Sequence, residues 1–590
     1  MCDDSQGFSR RRSTSFMGSG RKPKNIVRAA VAAVAVVALL SGCTAAAPPT
    51  EPEPTPPPTT ATVGVVGQFT SFNPETSQGA THANLAVSQY LHESFAYIGD
   101  DLQVTGNTGF GEVEKISDDP LTVVYSLHEG RKWSDGTLVT MEDLLFGWAV
   151  NTGWFDDAAY NEQGNVVSGT RYFDTAKTES LNSDTERAEI DTRKRIMTVT
   201  YDDPFADWNR QWLLDRPLHV VAQKAGVSAG DILRVIREAP KGDPEAPAEP
   251  NATLLAAGRA WSTGFDVDPA APDLSGAVSN GPYMVESLQS DRLELVRNPV
   301  YEGANYPAID RLTVRFFPDE QSQLDAVQAG EVDVANLGAV SEATIGRLES
   351  AGAEVLTGAR PRTLSLIFVD EAERMDDTTR EALMLSLDRK HLVEESVGGV
   401  NADAAPLRSF ISSAASGSAY RDVIADNGSP GDGPDVDRAT SLLDGEEPQV
   451  RIRYEPTDTV AADLFAEIAR MAEAAGIDVR PAGDDDQADA ELVSADVSGS
   501  LYETARQRVT EGAGGVDAVR ALLEMRRSTD PEQVIEVGQD VDRALFDDLY
   551  GMPLVEASGV VAHSAKVSGV SYTSSLWAAP SQFWTWQPVK

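Results

Sequence analysis

Three observations predict a mixed α/β fold in two or three globular units. Apolar, β-branched runs of four to eight residues recur from residue 62 onward, the signature of strands. Segments with apolar residues at helical spacing separate them. The chain has 590 residues, 41% hydrophobic and 24% charged, which is too long for one domain and too apolar for disorder.

The chain opens with an address. A basic patch at 21–28 precedes Ala29 to Leu40, twelve residues without a charge. Twelve helical residues rise about 18 Å, short of a hydrocarbon core of roughly 30 Å, so residues 1–42 are expected to be a cleaved signal peptide rather than a permanent span. Residues 43–61 follow as Cys43 and a linker, with seven prolines between Thr44 and Thr60. That composition favours extended chain and buries no core.

The strand runs are Thr62 to Gln68, Leu121 to Leu127, Arg195 to Tyr201, Leu293 to Arg297 and Leu312 to Phe317. Thr140 caps a helix that places Met141, Leu144, Leu145, Trp148 and Ala149 on one face, with Asp143 at the capping-box position. Asp319 caps a helix through Leu324 and Val327, Gly330 ends it, and a strand begins at Val332. Thr378 opens another helix through Leu387, Asp388 caps the next, and Gly398-Gly399 closes it. Residues 426–448 and 482–490, rich in Asp, Gly and Pro, read as loops; residues 505–550 read as helical and poor in aromatics.

Charge and composition exclude several functions. With 49 Lys+Arg against 92 Asp+Glu the net charge is −43. Without residues 1–42 the chain has 42 basic and 90 acidic residues, a charge of −48. Such a surface repels a phosphate backbone, so no nucleic-acid partner is expected. Cys2 and Cys43 cannot build a disulfide framework, and the six dispersed histidines have no ligand spacing, so neither a metal site nor a cofactor is expected.

Several motifs occur in order. Leu40-Ser41-Gly42-Cys43 resembles a bacterial lipobox, in which Cys43 receives a diacylglyceryl anchor. Gln68-Phe69-Thr70-Ser71-Phe72-Asn73-Pro74 and Leu91-His92-Glu93-Ser94-Phe95 follow the stalk. Next come Tyr125 to Gly136 (Tyr-Ser-Leu-His-Glu-Gly-Arg-Lys-Trp-Ser-Asp-Gly), Asn280-Gly281-Pro282-Tyr283, Arg297-Asn298-Pro299-Val300-Tyr301 and Gly330-Glu331-Val332-Asp333. Arg380-Glu381-Ala382-Leu383 with Asp388-Arg389 completes the set. Together they resemble the family 5 extracellular solute-binding proteins, receptors of peptide and nickel ABC importers. The chain departs from the family pattern at Phe368-Val369-Asp370, where Phe-Asn is usual, and lacks the Pro-Phe before the Arg380 helix.

The resemblance implies a two-lobed, type II periplasmic-binding-protein-like α/β fold with an inserted subdomain in lobe I. The expected bounds are 62–340 for lobe I, with the insertion about 100–200, then 341–552 for lobe II and 553–590 returning to lobe I. It also implies a monomeric receptor, lipid-anchored on the outer face of the cytoplasmic membrane. This receptor would pass a small solute, a peptide by expectation and a nickel chelate as an alternative, to an ABC permease and its ATPase. Phe69, Thr70 and Ser71 leave the first strand at its carboxyl end, where open α/β sheets place ligands. Arg362 and Asp496 are candidates for the two charged ends of a peptide, and Trp133 and Tyr283 are further candidate contacts.

Two other classes remain. One is a sensor or interaction lipoprotein on the same fold without transport. The other is a serine hydrolase: Gly226-Val227-Ser228-Ala229-Gly230 matches Gly-x-Ser-x-Gly, but Ala222-Gln223-Lys224 before it is polar where a buried strand is needed. Ser228 with Asp231 reads instead as a helix cap, and no catalytic residue is expected.

Overall fold

The first strand, Thr60–Val66, lies parallel between Arg311–Phe317 and Val334–Gly338, with Val63 and Val65 buried. Its β-branched run suits a strand covered on both faces. The structure is a computed structural model describing residues 58–589 except 162–163, 177–184, 211–213, 215, 269, 370–374, 484–486, 498, 511–513 and 576–581. The expected signal peptide, the expected lipidation site Cys43 and the expected linker up to residue 57 lie outside the described residues, as does Asp370.

One ten-stranded mixed sheet organises the described chain. In spatial order it runs Tyr283–Leu288, Arg292–Arg297, Arg311–Phe317, Thr60–Val66, Val334–Gly338, Gly551–Ser564, Ala353–Phe368, Ala490–Asp496, Gln449–Arg453 and Asp478–Pro481. The two long antiparallel strands, Ala353–Phe368 and Gly551–Ser564, carry the chain between two cores. At one end Val560 and Ala562 pack with Phe317, Leu324, Leu337 and Leu348. At the other, Leu364, Leu366, Phe368, Met552 and Leu554 pack with Leu383, Leu464 and Ile468. This is the two-lobed α/β arrangement.

Between the cores the ladder breaks. Ala359 pairs with Ser558 and Thr363 with Glu556, so residues 360–362 stand opposite Ala557 alone. A bulge of this kind bends the strand and re-aims its side chains.

A second, four-stranded antiparallel sheet contains Gly111–Asp118, Leu121–Leu127, Ile196–Thr200 and Glu189–Asp191. Leu121, Val123 and Tyr125 share a core with Leu144, Leu145 and Trp148 of the helix Met141–Thr152 and with Val63 of the first strand. Three helices, Leu501–Thr510, Gly515–Arg527 and Pro531–Asp547, surround a third core with Phe410 and Phe546.

Several helix starts are set by the expected caps. Asp319 accepts from the Ser322 N–H ahead of Glu320–Gln328, and Gly330 follows with φ +69°. Asp388 accepts from His391 N–H ahead of Arg389–Ser396. Two expectations are corrected. The helix expected to open at Thr378 is Asp377–Ser386, because Asp376 accepts from Thr379 N–H and sets the cap earlier. The loop expected over 426–448 contains the helix Val436–Leu443, capped by Asp435 and held to the core by Ala439 and Leu443.

Candidate functional site

Where the two parallel strands Thr60–Val66 and Val334–Gly338 end, a cavity of about 100 Å³ opens beside the bulge. Its polar lining comes from His82, Glu320, Gln323, Asn336 and Arg360, with Gly64 and Gly338 supplying backbone. The carboxyl ends of strands in open α/β sheets form such crevices.

Gln323 and Asn336 are fixed by backbone partners, and His82 is placed by its helix. His82 begins the helix His82–Leu91, whose cap Thr81 accepts from Asn84 N–H. Asn84 Oδ1 in turn accepts from Thr70 N–H at 2.8 Å and Ser71 N–H at 3.2 Å, and its Nδ2 donates to Thr70 Oγ1 at 3.0 Å. Gln323 Nε2 donates to Gly64 O at 2.9 Å, and Asn336 Nδ2 to Ser575 O at 3.2 Å. Gly338 has φ +66°, and a Cβ there would stand 2.5 Å from Arg360 Nη1, so this glycine admits the guanidinium.

Arg360 dominates the electrostatics. Its Nε is buried without a hydrogen-bond partner, and it makes no ion pair within 4.0 Å among the described residues. Burial first, then the Arg362 charge, lowers its pKa, while Glu320 opposes the shift; an arginine stays charged throughout. Burial of the ring, then the Arg360 charge, lowers the His82 pKa below the usual histidine value and keeps that ring neutral at pH 7. A half-buried cation with no ion pair among the described residues is suited to receive an anion.

None of the seven residues singled out from sequence lines this cavity. Phe69 is buried, stacked on Phe316 at 5.8 Å and edge-on to Phe72. Thr70 and Ser71 are engaged by Asn84. Trp133 is buried above the Asp135-Gly136 turn, where Thr137 N–H reaches Asp135 Oδ1 at 2.9 Å. Tyr283 is also buried, its hydroxyl donating to Ile309 O at 2.9 Å. Arg362 and Asp496 face each other as register partners on adjacent strands, with Nε to Oδ1 at 2.8 Å and Nη2 to Oδ2 at 3.3 Å. Each charge is therefore the other's partner on an exposed face of the sheet.

Residues 206–210 reach the helices of the third core directly. Ser500 Oγ donates to Asp207 Oδ2 at 2.6 Å, Ala206 N–H to Arg526 O at 2.9 Å, and Trp208 Nε1 to Thr529 O at 3.0 Å. Arg210 also bonds Gly499 O. These bonds tie residues 206–210 to residues 499–529.

Ser228 caps the helix Ala229–Glu238, accepting from Asp231 N–H and donating to Asp231 Oδ2 at 2.6 Å. The hydroxyl thus serves the cap that its sequence context suggested.

Two lobes on one sheet, joined by crossing strands with a polar cavity beside them, define a type II binding-protein architecture. The chain belongs to the bacterial extracellular solute-binding proteins, family 5, whose description matches residues 84–512. It is 25% identical over 560 residues to an uncharacterized lipoprotein of Mycobacterium leprae, covering 89% of this chain and 93% of that one. In fold it is similar to the periplasmic EDTA-binding protein EppA, with TM-score 0.67, 16% identity, and 90% and 96% of the two chains covered. It is also similar to the oligopeptide-binding protein AppA of Bacillus subtilis, solved with a nonapeptide, with TM-score 0.57, 14% identity, and 90% and 100% covered.

Proposed function

We propose that this protein is the lipid-anchored receptor of an ABC importer, holding a small solute between its lobes at the strand crossing and presenting it to the permease. In this reading Cys43 carries the anchor, the chain works as a monomer outside the cytoplasmic membrane, and the passage between lobes lies at residues 359–363 and 555–558. The observation that carries it is Arg360, which has no ion pair among the described residues and stands at the bulge between the two cores, lining a cavity formed by groups from the helices and strands around it.

The bulge gives the reading a mechanism. A solute that binds Arg360 contacts a residue on the connecting strand as well as groups of the first lobe, so its contact energy differs between open and closed arrangements. That difference is what shifts a two-state equilibrium. An extended peptide, the expectation from resemblance, draws support from the family and from AppA. Anchoring its ends on Arg362 and Asp496 would require their mutual ion pair to open.

A melting-temperature screen against peptides, free amino acids, oligosaccharides and metal chelates tests the proposal. Binding to the native state raises stability by RT ln(1 + [L]/Kd), about 2.7 kcal/mol at a hundredfold excess over Kd. At least one class should raise the midpoint. A flat response to all of them, with no small molecule carried through native purification, overturns the reading.

A further inference from the structure

We infer that the cavity takes a compact zwitterion, a solute whose carboxylate and ammonium groups lie close together as in a free amino acid. The carboxylate would sit on Arg360 and the ammonium on Glu320. This rests on the receptor reading above and names its substrate class.

Three features carry it. The first is size. A cavity of about 150 Å³ holds a benzene, and drug-sized ligands occupy roughly 300–1,000 Å³. About 100 Å³ admits only a handful of non-hydrogen atoms.

The second is the pairing of charges. Arg360 and Glu320 both flank Gly338: a Cβ there would lie 2.5 Å from Arg360 Nη1 and 3.7 Å from Glu320 Oε1. Yet they form no ion pair within 4.0 Å. Two opposite charges that share a wall without touching suit a guest that carries both signs. A guanidinium offers two parallel N–H donors to a planar carboxylate, and a carboxylate accepts from an ammonium.

The third is the fate of the other nearby charges. Arg362 is matched by Asp496, and His82 is neutral at pH 7, so neither adds a net charge for which a second anionic group would be needed. A solute carrying only an anion would leave Glu320 facing it, and a cation alone would face Arg360.

Calorimetric titration of the whole protein in detergent tests this with alanine, acetate, methylammonium and trialanine as probes. Alanine should bind, with acetate and methylammonium weaker by about ten- to a hundredfold, the weight of one hydrogen bond to a charged group. Arg360→Gln should abolish alanine binding. Glu320→Gln, at an exposed helix start that leaves the fold intact, should lower alanine affinity and erase its advantage over acetate. Melting curves of both variants establish that they are folded. Trialanine binding more tightly than alanine would overturn the zwitterion inference and leave the receptor reading standing. So would Glu320→Gln leaving alanine affinity unchanged. No binding by any of the four, while another solute class raises the melting temperature, would do the same. No binding by any class would remove both.

Discussion

Arg360 and Arg362 are separated by one proline, and their different fates come from three residues of backbone. Because residues 360–362 oppose Ala557 alone, one guanidinium enters the cavity and the other pairs with Asp496 on the neighbouring strand. Composition and spacing treat the two arginines alike, so nothing in the sequence separates Arg362, the expected ligand contact, from Arg360, which lines the cavity. His82, Glu320 and Asn336 were equally silent, since each gains meaning only when strands distant in sequence converge. The buried family residues were easier: the Asp135-Gly136 turn and the Gly281-Pro282-Tyr283 turn advertise backbone constraints. Asn298 Nδ2 secures the latter through Gly281 O at 2.9 Å.

Two predictions belong to single residues. The Arg362–Asp496 pair is half exposed, so Asp496→Ala should cost no more than about 1 kcal/mol in urea unfolding and leave solute affinity unchanged. Loss of binding would return the ligand ends to that pair. Glu556, at the crossing, accepts from the Ala414 and Ala415 N–H groups, yet burial pushes its pKa up to about 7. Its folded pKa lies above the unfolded value near 4.5, so the native state binds the extra proton. The favourable contribution is complete below about pH 4.5 and is lost as pH rises through about 7. Between pH 5 and pH 8 the wild type should lose up to about 2–3 kcal/mol through this group. Glu556→Gln should show a shallower decline over the same window in parallel urea titrations, and an identical decline would refute the assignment.

At the scale of elements, polar caps write helix starts into the sequence. Thr140, Asp319 and Asp388 were legible because a short polar side chain stands just before an apolar periodic run. Val436–Leu443 was not, because its eight residues are flanked by Asp, Gly and Pro, which resemble a loop until the core contacts of Ala439 and Leu443 are known. Asp143 does more than close a capping box. Its Oδ2 accepts from the Thr140 N–H at 2.9 Å, and its Oδ1 from the Leu218 N–H at 3.1 Å, tying two helix starts together. Asp143→Ala leaves two backbone donors unpaired and should cost about 2–4 kcal/mol in urea unfolding. A loss below about 0.5 kcal/mol, the level of an ordinary surface change, would show that the tie carries no weight.

At the scale of the molecule, the two-lobed fold was legible from the ordered motifs together with the strand and helix periods. The passage between the lobes was not. The helix Glu342–Ser350, just past the expected lobe boundary at 341, contributes Leu348 to the core built around Phe317 and Leu324. A continuous strand has no composition break where it leaves one core for another, and only pairing exposes the bulge. Direct bonds also join residues 206–210 to 499–529, segments that fall in different lobes by the expected bounds. Removing the Asp207 carboxylate removes one of the buried bonds between residues 206–210 and 499–529. Asp207→Ala should therefore enlarge the radius of gyration of the unliganded protein in small-angle scattering, and an unchanged radius would mean that the remaining bonds suffice.

The central claim is that a small solute is held at Arg360. Native mass spectrometry of the protein purified without denaturation, compared with Arg360→Gln prepared identically, tests it most directly. A small-molecule mass is expected on the wild type, released on unfolding and missing from the variant. The same bound mass on both proteins would contradict it.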